Sequence, residues 1–327
     1  MEKKRILSGM RPTGKLHIGH WVGALSNWTR LQDEYTCFFM VADWHALMSE
    51  YKSSSNIADT IMDNVADWLA WGIDPKRSVI FVQSRLPVHL ELFMALSIIT
   101  PLGWLYRCPT FKEQIDQLKE KEINTFAFLG YPVLQTADIL LYQAHYVPVG
   151  EDQLPHLEVA REIVRRFHFL FKSEIFVEPQ PLLTPVPRLL GLDGRKMSKS
   201  YDNFVALDEE DDMINKKVLS MVTDPQRIKK DDFGRPEVCS VFNYYEVFKP
   251  ELKEDVRAWC TGARKGCKDC KACLAGLLID FIGEKRKEKK RLLNEPDYLN
   301  QVLNEGAQRA ETVACATMAR VREAVHL

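Results

Sequence analysis

Residues 5–20 read RILSGMRPTGKLHIGH. RILSG is a short apolar run of strand type, Arg11 to Gly14 is a turn, and the spacing from about His17 to Asp33 predicts a helix. A strand that passes through a tight turn into a helix is how a βαβ unit begins. The rhythm recurs: CFFMVAD is a second apolar strand, SVIFVQS a third and YVPVG a fourth, with helices from about Asn56 to Trp71 and Leu154 to Phe167. This alternation predicts an α/β fold with a mostly parallel sheet and helices on both faces. Ligands in such sheets bind beyond the carboxyl ends of the strands. RPTGKLHIGH, ADWH and GEDQ all fall there. After about Tyr201 the strand signals fade. DEEDDMINKKVLSMV, KEDVRAWC, ACLAGLLIDFIGEKRKEKKRLL and ETVACATMARVREAV all have helical spacing, so residues 201–327 are expected to form a helical domain.

The bulk numbers set limits. A chain of 327 residues, 46% hydrophobic and 27% charged, can bury a real core and is long enough for two domains. The net charge of −1 excludes a global basic field, so any nucleic-acid contact must come from a local patch. The apolar run in MEKKRILSGM is too short for a signal peptide, and no stretch has 18 consecutive apolar residues. A cytoplasmic protein with no membrane span is expected. Four of the eight cysteines, Cys260, Cys267, Cys270 and Cys273, crowd into CTGARKGCKDCKACL, residues 260–274. Disulfide, zinc and iron–sulfur readings are all open, but a reducing compartment counts against the first and favours a metal.

Two further motifs decide the chemistry. Alone, HIGH is an ordinary helix start and KMSKS an ordinary solvated loop. Here TGKLHIGH follows the first strand, and GRKMSKS comes roughly 180 residues later, after the turn-like GLDG. The pair resembles the class I aminoacyl-tRNA synthetases, and GEDQ before a helix narrows the resemblance to the tryptophanyl and tyrosyl branch. It covers nearly the whole chain. It implies a Rossmann-like doubly wound catalytic domain over residues 1–200, a helical domain over 201–327 that binds the tRNA anticodon, and a homodimer.

The implied reaction joins a carboxylate to the α-phosphorus of ATP, with Mg2+, and expels pyrophosphate. Catalysis of that kind is positioning plus stabilisation of negative charge. His17 and His20, at a helix start, suit phosphate oxygens. Gly19 leaves room for adenine against backbone. Lys196 and Lys199, on a loop with Ser198, suit the departing pyrophosphate. The resemblance also assigns Arg11, Pro12, Thr13, Leu189, Met197 and Ser200 to ATP, together with Gly150, Glu151 and Asp152 of GEDQ near the ribose. Gln153 would face the amino acid.

In YPVLQTADILLY, Tyr131, Gln135 and Asp138 fall at i, i+4 and i+7 and share one helical face. In both branches that aspartate meets the polar end of an aromatic substrate. A tyrosyl enzyme must also hold the phenol hydroxyl. Archaeal-type tyrosyl enzymes place a tyrosine two residues before the glycine that ends the first strand, where this chain has Leu7. An apolar wall facing one aspartate suits indole, whose nitrogen only donates. Val147 and Val149 in VPVGEDQ look tryptophanyl as well, and His45 joins the substrate set. Gln135 departs from the Met of many bacterial tryptophanyl enzymes and keeps tyrosine as the alternative.

Cys267, Cys270 and Cys273 share the C-x2-C-x2-C opening of ferredoxin-type sites. A subset of bacterial tryptophanyl-tRNA synthetases resembles this chain more closely and implies a 4Fe–4S cluster on Cys239, Cys260, Cys267 and Cys270, with Cys273 spare or competing. A four-thiolate zinc site fits the same residues. Lys265, Lys268, Lys271 and EKRKEKKR offer positive charge to tRNA, although a solvated helix face accounts for the run equally. A synthetase-like RNA-binding protein without activity is the reading from another class, and intact HIGH and KMSKS motifs speak against it.

Overall fold

A computed structural model describes residues 3–108, 123–183 and 189–327. Among these residues one sheet forms from β1 (Arg5–Met10), β2 (Thr36–Val41), β3 (Ser78–Val82), β4 (Tyr146–Val149) and β5 (Gln180–Leu183). The order is β3-β2-β1-β4-β5 and every pairing is parallel. The chain turns back across β1, with β2 on one side and β4 on the other, so the switch point where such sheets bind ligands lies between β1 and β4. β2 and β3 are buried along nearly their whole length, which is why they read as unbroken apolar runs. β5 gave no strand signal in the sequence. It is a four-residue edge strand, and Pro181 is tolerated there because one side of an edge needs no N–H.

The helices follow in chain order. α1 (Ser26–Glu34), α2 (Asp43–Glu50), α3 (Ile57–Ala70), α4 (Val88–Ile99), α5 (Leu102–Arg107), α6 (Phe126–Leu141) and α7 (Leu154–Phe171) precede β5. α8 (Asp211–Ser220), α9 (Ser240–Phe248), α10 (Lys253–Thr261), α11 (Cys267–Leu293) and α12 (Pro296–Val325) come after it. The single helix expected from His17 is instead a short α turn at Ile18–His20, a π stretch at Trp21–Leu25 and then α1. Such π stretches concentrate at functional sites, where they re-aim side chains. α6 carries Pro132 in its interior, and the Thr136 hydroxyl donates to the Pro132 carbonyl at 2.8 Å.

The chain forms two compact units from interleaved segments. The first comprises Met1–Gly14, Trp28–Pro185 and Glu295–Leu327; the second comprises Lys15–Asn27 and Val186–Asn294. The sheet therefore belongs to the first unit, together with the last helix. The HIGH segment belongs to the second, together with the KMSKS loop and the five cysteines from Cys239 to Cys273. No helix among the described residues is long and apolar enough to cross a membrane.

Close backbone approach fixes α12 on β3. A Cβ on Gly306 would lie 1.7 Å from the Ile80 carbonyl oxygen. Arg309 on the next turn donates to the carbonyls of Pro75 at 2.9 Å and Ser78 at 3.1 Å. Buried Ala310, Ala314, Met318 and Val321 continue the same face. Gln32 holds the approach to β3: its amide donates to Gly72 O, and its oxygen accepts from Asp74 N and the Ser78 hydroxyl. Gly306→Ala forces the helix off the strand and should cost about 1–3 kcal/mol or more in urea unfolding. Gly283→Ala, with nothing within 4 Å of its added Cβ, should instead gain a few tenths through helix propensity.

Candidate functional site

The second unit joins the HIGH and KMSKS segments through backbone hydrogen bonds. Ile18 N donates to Val205 O at 3.0 Å, Leu207 N donates to Leu16 O at 2.9 Å, and His17 pairs antiparallel with Ala206. Gly19 is required at this join. A Cβ there would lie 2.9 Å from both His17 Nδ1 and Met197 Sδ, so an alanine would strike the ring and the loop methionine together. His17 N–H donates to His20 Nδ1 at 3.1 Å, which leaves the proton of neutral His20 on Nε2. His17 Nδ1 is buried without a hydrogen-bond partner.

Burial, then the charge of Lys199, pushes His17 down to about 3. Burial, then His17 and Lys199, holds His20 well below the usual histidine range. Both rings are neutral at pH 7. They can donate hydrogen bonds to phosphate oxygens but do not supply cations; positive charge comes from the lysines. Lys199 is half-buried, and Lys196, paired antiparallel with Leu190, is exposed.

Asn203, which the sequence reading passed over, shapes the loop. Its oxygen accepts from Ser198 N at 2.8 Å, and its amide donates to Asp193 at 2.7 Å and to the Lys196 carbonyl at 3.2 Å. One buried amide thus ties both ends of the loop. Gly191 makes room for it, since a Cβ there would be 2.2 Å from the Asn203 amide nitrogen. Leu189 and the loop's own Met197 are buried, and Ser200 sits in the 3-10 turn Lys199–Tyr201.

The aromatic half of the expected site lies in the first unit. Asp138, on α6, is 1% exposed. Its Oδ1 accepts from His89 Nδ1 at 2.7 Å and Gln83 Nε2 at 2.8 Å, and its Oδ2 accepts from His45 Nε2 at 2.8 Å. Burial alone would raise this carboxyl, but the hydrogen bonds from His45 and His89 outweigh it and bring it to about 2. The carboxylate is therefore ionised and acceptor-only. Gln83 and His89 were not singled out from the sequence. Gln83 follows β3 at a carboxyl end, which was a usable signal; a lone histidine in the apolar α4 reads as core.

Other expected residues scatter around this centre. Leu7 and Val147 are buried in the sheet's hydrophobic core, with Val149 packed against it. Tyr131 lies in a smaller cluster with Phe128, Cys108 and Ile123, and its hydroxyl bonds His156 Nε2. Burial brings His156 down to about 4, against the pull of Asp152. Gln135 is half-buried. Gln153 Nε2 donates to Asp152 at 2.9 Å, Glu151 and Asp152 are exposed, and a Cβ on Gly150 would lie 2.7 Å from Asp152 Oδ1. Pro12 is buried, Arg11 is exposed, and Thr13 N closes a turn onto Arg11 O.

The cysteines separate into two kinds. Cys239, Cys260, Cys267 and Cys270 line one recess of the second unit with Thr223, Arg227, Phe242 and Trp259. Cys273 is exposed, with Lys265 Nζ 3.2 Å from its sulfur. Helix geometry explains the split: three residues turn the face by about 60°, so Cys267 and Cys270 share a side and Cys273 begins to leave it. Burial, then the neighbouring thiols, raises Cys270 to about 12. Four thiolates side by side would repel, and a bound cation is what relieves that repulsion. Thiols are the donor type that a thiolate-ligated metal group would need. The side chains are not drawn together as ligands, because among the described residues no group of three His, Cys, Asp or Glu stands in a metal-holding arrangement.

A parallel sheet with order 3-2-1-4-5 and joined HIGH and KMSKS segments defines a class I synthetase core. Residues 1–282 match the family model described as tRNA synthetases class I (W and Y). The chain belongs to this family. A tryptophan–tRNA ligase from Thermotoga maritima is 47% identical over 326 residues, covering 99% of each chain. Another from Aquifex aeolicus is 41% identical over 99% of this chain and 100% of its own. The crystal structure of a tryptophanyl-tRNA synthetase from Campylobacter jejuni, complexed with ADP and tryptophan, superposes with a TM-score of 0.90 at 31% identity, over 99% of this chain and 100% of that one.

The buried neutral histidines set a pH dependence. Their folded pKa values lie below the unfolded value near 6.5, so as pH falls below 6.5 the unfolded chain binds protons that the native one refuses. Stability should therefore fall from pH 7 to pH 5, by on the order of 2 kcal/mol for each of His17 and His156. Urea titrations at the two pH values check this, and His156→Gln should reduce the difference.

Proposed function

We propose that the chain activates L-tryptophan with ATP to tryptophanyl-adenylate and pyrophosphate, and then transfers tryptophan to tRNA(Trp). The observation that carries tryptophan over tyrosine is the 47% identity to a tryptophan–tRNA ligase along 99% of both chains. Leu7 and the acceptor-only Asp138 support it chemically. A wall without a hydroxyl and a carboxylate that only accepts suit an N–H that only donates.

Each group then has a role. Neutral His17 and His20 donate to ATP phosphates, and Gly19 leaves the adenine its space. Arg11, Pro12, Thr13, Leu189 and Met197 contact the nucleotide, and Gly150, Glu151 and Asp152 hold the ribose. Lys196, Ser198, Lys199 and Ser200 close on the β,γ-phosphates, which arrive with Mg2+. Asp138 accepts the indole N–H. His45, Gln135, Val147, Val149 and Leu7 border the ring, and Tyr131 and Gln153 face the amino-acid head. Activation belongs to residues 1–200 and anticodon binding to 201–327, in a cytoplasmic homodimer. Met94, Ile98, Leu102 and Tyr106, exposed at four-residue intervals along α4 and α5, support a second copy as partner.

ATP–pyrophosphate exchange tests the reading. Tryptophan alone among the twenty amino acids should support exchange at low concentration, and exchange with tyrosine instead would sink it. Lys196→Ala and Lys199→Ala should lower the exchange rate by roughly a hundredfold or more while changing tryptophan binding little. Their charges meet charge that develops only near the transition state.

Cys239, Cys260, Cys267 and Cys270 would hold a 4Fe–4S cluster, or zinc as the alternative. Such a group supplies covalent cross-links that staple the recess and shape a tRNA-facing surface. Protein purified without oxygen should be brown and contain about four irons per chain. Cys273→Ser should leave the iron in place, and Cys270→Ser should lose it. A colourless preparation with one zinc would replace iron by zinc.

A further inference from the structure

Around Asp138 the donors can be counted. A carboxylate offers about four acceptor sites, two on each oxygen. His89 Nδ1 and Gln83 Nε2 fill both sites on Oδ1, and His45 Nε2 takes one on Oδ2. One site remains, on Oδ2. Gln83 donates to the carboxylate through Nε2, while its own Oε1 is buried without a partner.

The His89 proton is directed from behind. His89 Nε2 lies 2.7 Å from the Tyr142 hydroxyl, and both side chains are fully buried. Burial and the Asp138 charge keep Tyr142 a protonated phenol. In the neutral-imidazole arrangement its O–H donates to Nε2, so the single ring proton sits on Nδ1 and points at Asp138. Without that O–H, the proton is free to move to Nε2, which would turn a lone pair towards a carboxylate.

We propose that Tyr142 and His89 are positioning residues that hold Asp138 as a charged acceptor with one vacant site on Oδ2, and that this relay sets selectivity for a ring N–H. The proposal rests on the reading of Asp138 as the partner of indole.

The test compares kcat/KM for tryptophan with that for the analogue carrying sulfur in place of the indole N–H, by pyrophosphate exchange. The wild-type protein should favour tryptophan by roughly a hundredfold, the scale of a hydrogen bond to a charged group. Tyr142→Phe and His89→Leu should each narrow that ratio by about tenfold or more. His89→Asn, whose amide nitrogen replaces Nδ1 as donor to Oδ1, should recover most of it. A purely structural role would lower both substrates together and leave the ratio unchanged, which would overturn the proposal. An asparagine variant no better than leucine would overturn it too. If His89→Leu does not fold, the near-isosteric Tyr142→Phe decides alone. A wild-type protein that does not distinguish the two substrates would sink the Asp138 reading itself, and the relay with it. Discrimination in the wild type that survives in Tyr142→Phe would sink only the relay.

Discussion

Two backbone hydrogen bonds, Ile18 N to Val205 O and Leu207 N to Leu16 O, hold the second unit's chemistry together. They join segments nearly two hundred positions apart, and each needs the other to satisfy its polar backbone. The ladder continues into Asp208, which pairs with Lys15 at 2.9 Å and with the buried Lys289 at 3.1 Å. Arg286, one turn earlier on α11, bonds the Glu209 carbonyl and, at 2.7 Å, Asp211. Of these pairs, Lys289–Asp208 is the one largely buried on both sides and costs most to lose, whereas Lys15 and Asp211 are exposed and their pairs contribute little. The segment that follows the KMSKS loop is therefore held both by the HIGH segment and by α11.

The limits of the sequence reading follow from physical causes. β1 to β4 were visible because central parallel strands are buried on both faces and leave apolar runs. β5 was not, because an edge strand of four residues with a proline carries neither period nor propensity. The helix from His17 was read as continuous because a π stretch keeps nearly the same apolar spacing as an α-helix. The two units cannot be read from a linear scan, since the last helix returns to β3 and Lys15–Asn27 joins the KMSKS segment. HIGH, KMSKS and Asp138 are local patterns and were found. Asn203, Gln83, His89 and Tyr142 matter through partners distant in sequence, and a lone residue type does not announce its partner.

The four recess cysteines sit where one element reaches two regions. α11 has 27 residues, about 40 Å at 1.5 Å per residue. Cys267 and Cys270 occupy its first turn, and Arg286 and Lys289 grip the segment after the KMSKS loop near its far end. Gly234 keeps the wall open beside Cys260, because a Cβ there would lie 2.4 Å from the cysteine sulfur.

The seating of Gly306 against Ile80 also bears on synthesis. β3 leaves the ribosome early, but the helix that covers it spans residues 296–325. Until that helix emerges, β3 lacks the backbone contact at Gly306, which bridges more than two hundred residues. Long-range closure of this kind slows folding and prolongs exposure of sticky surface. The apolar residues of β3 therefore stay partly uncovered until residues 296–325 have been made.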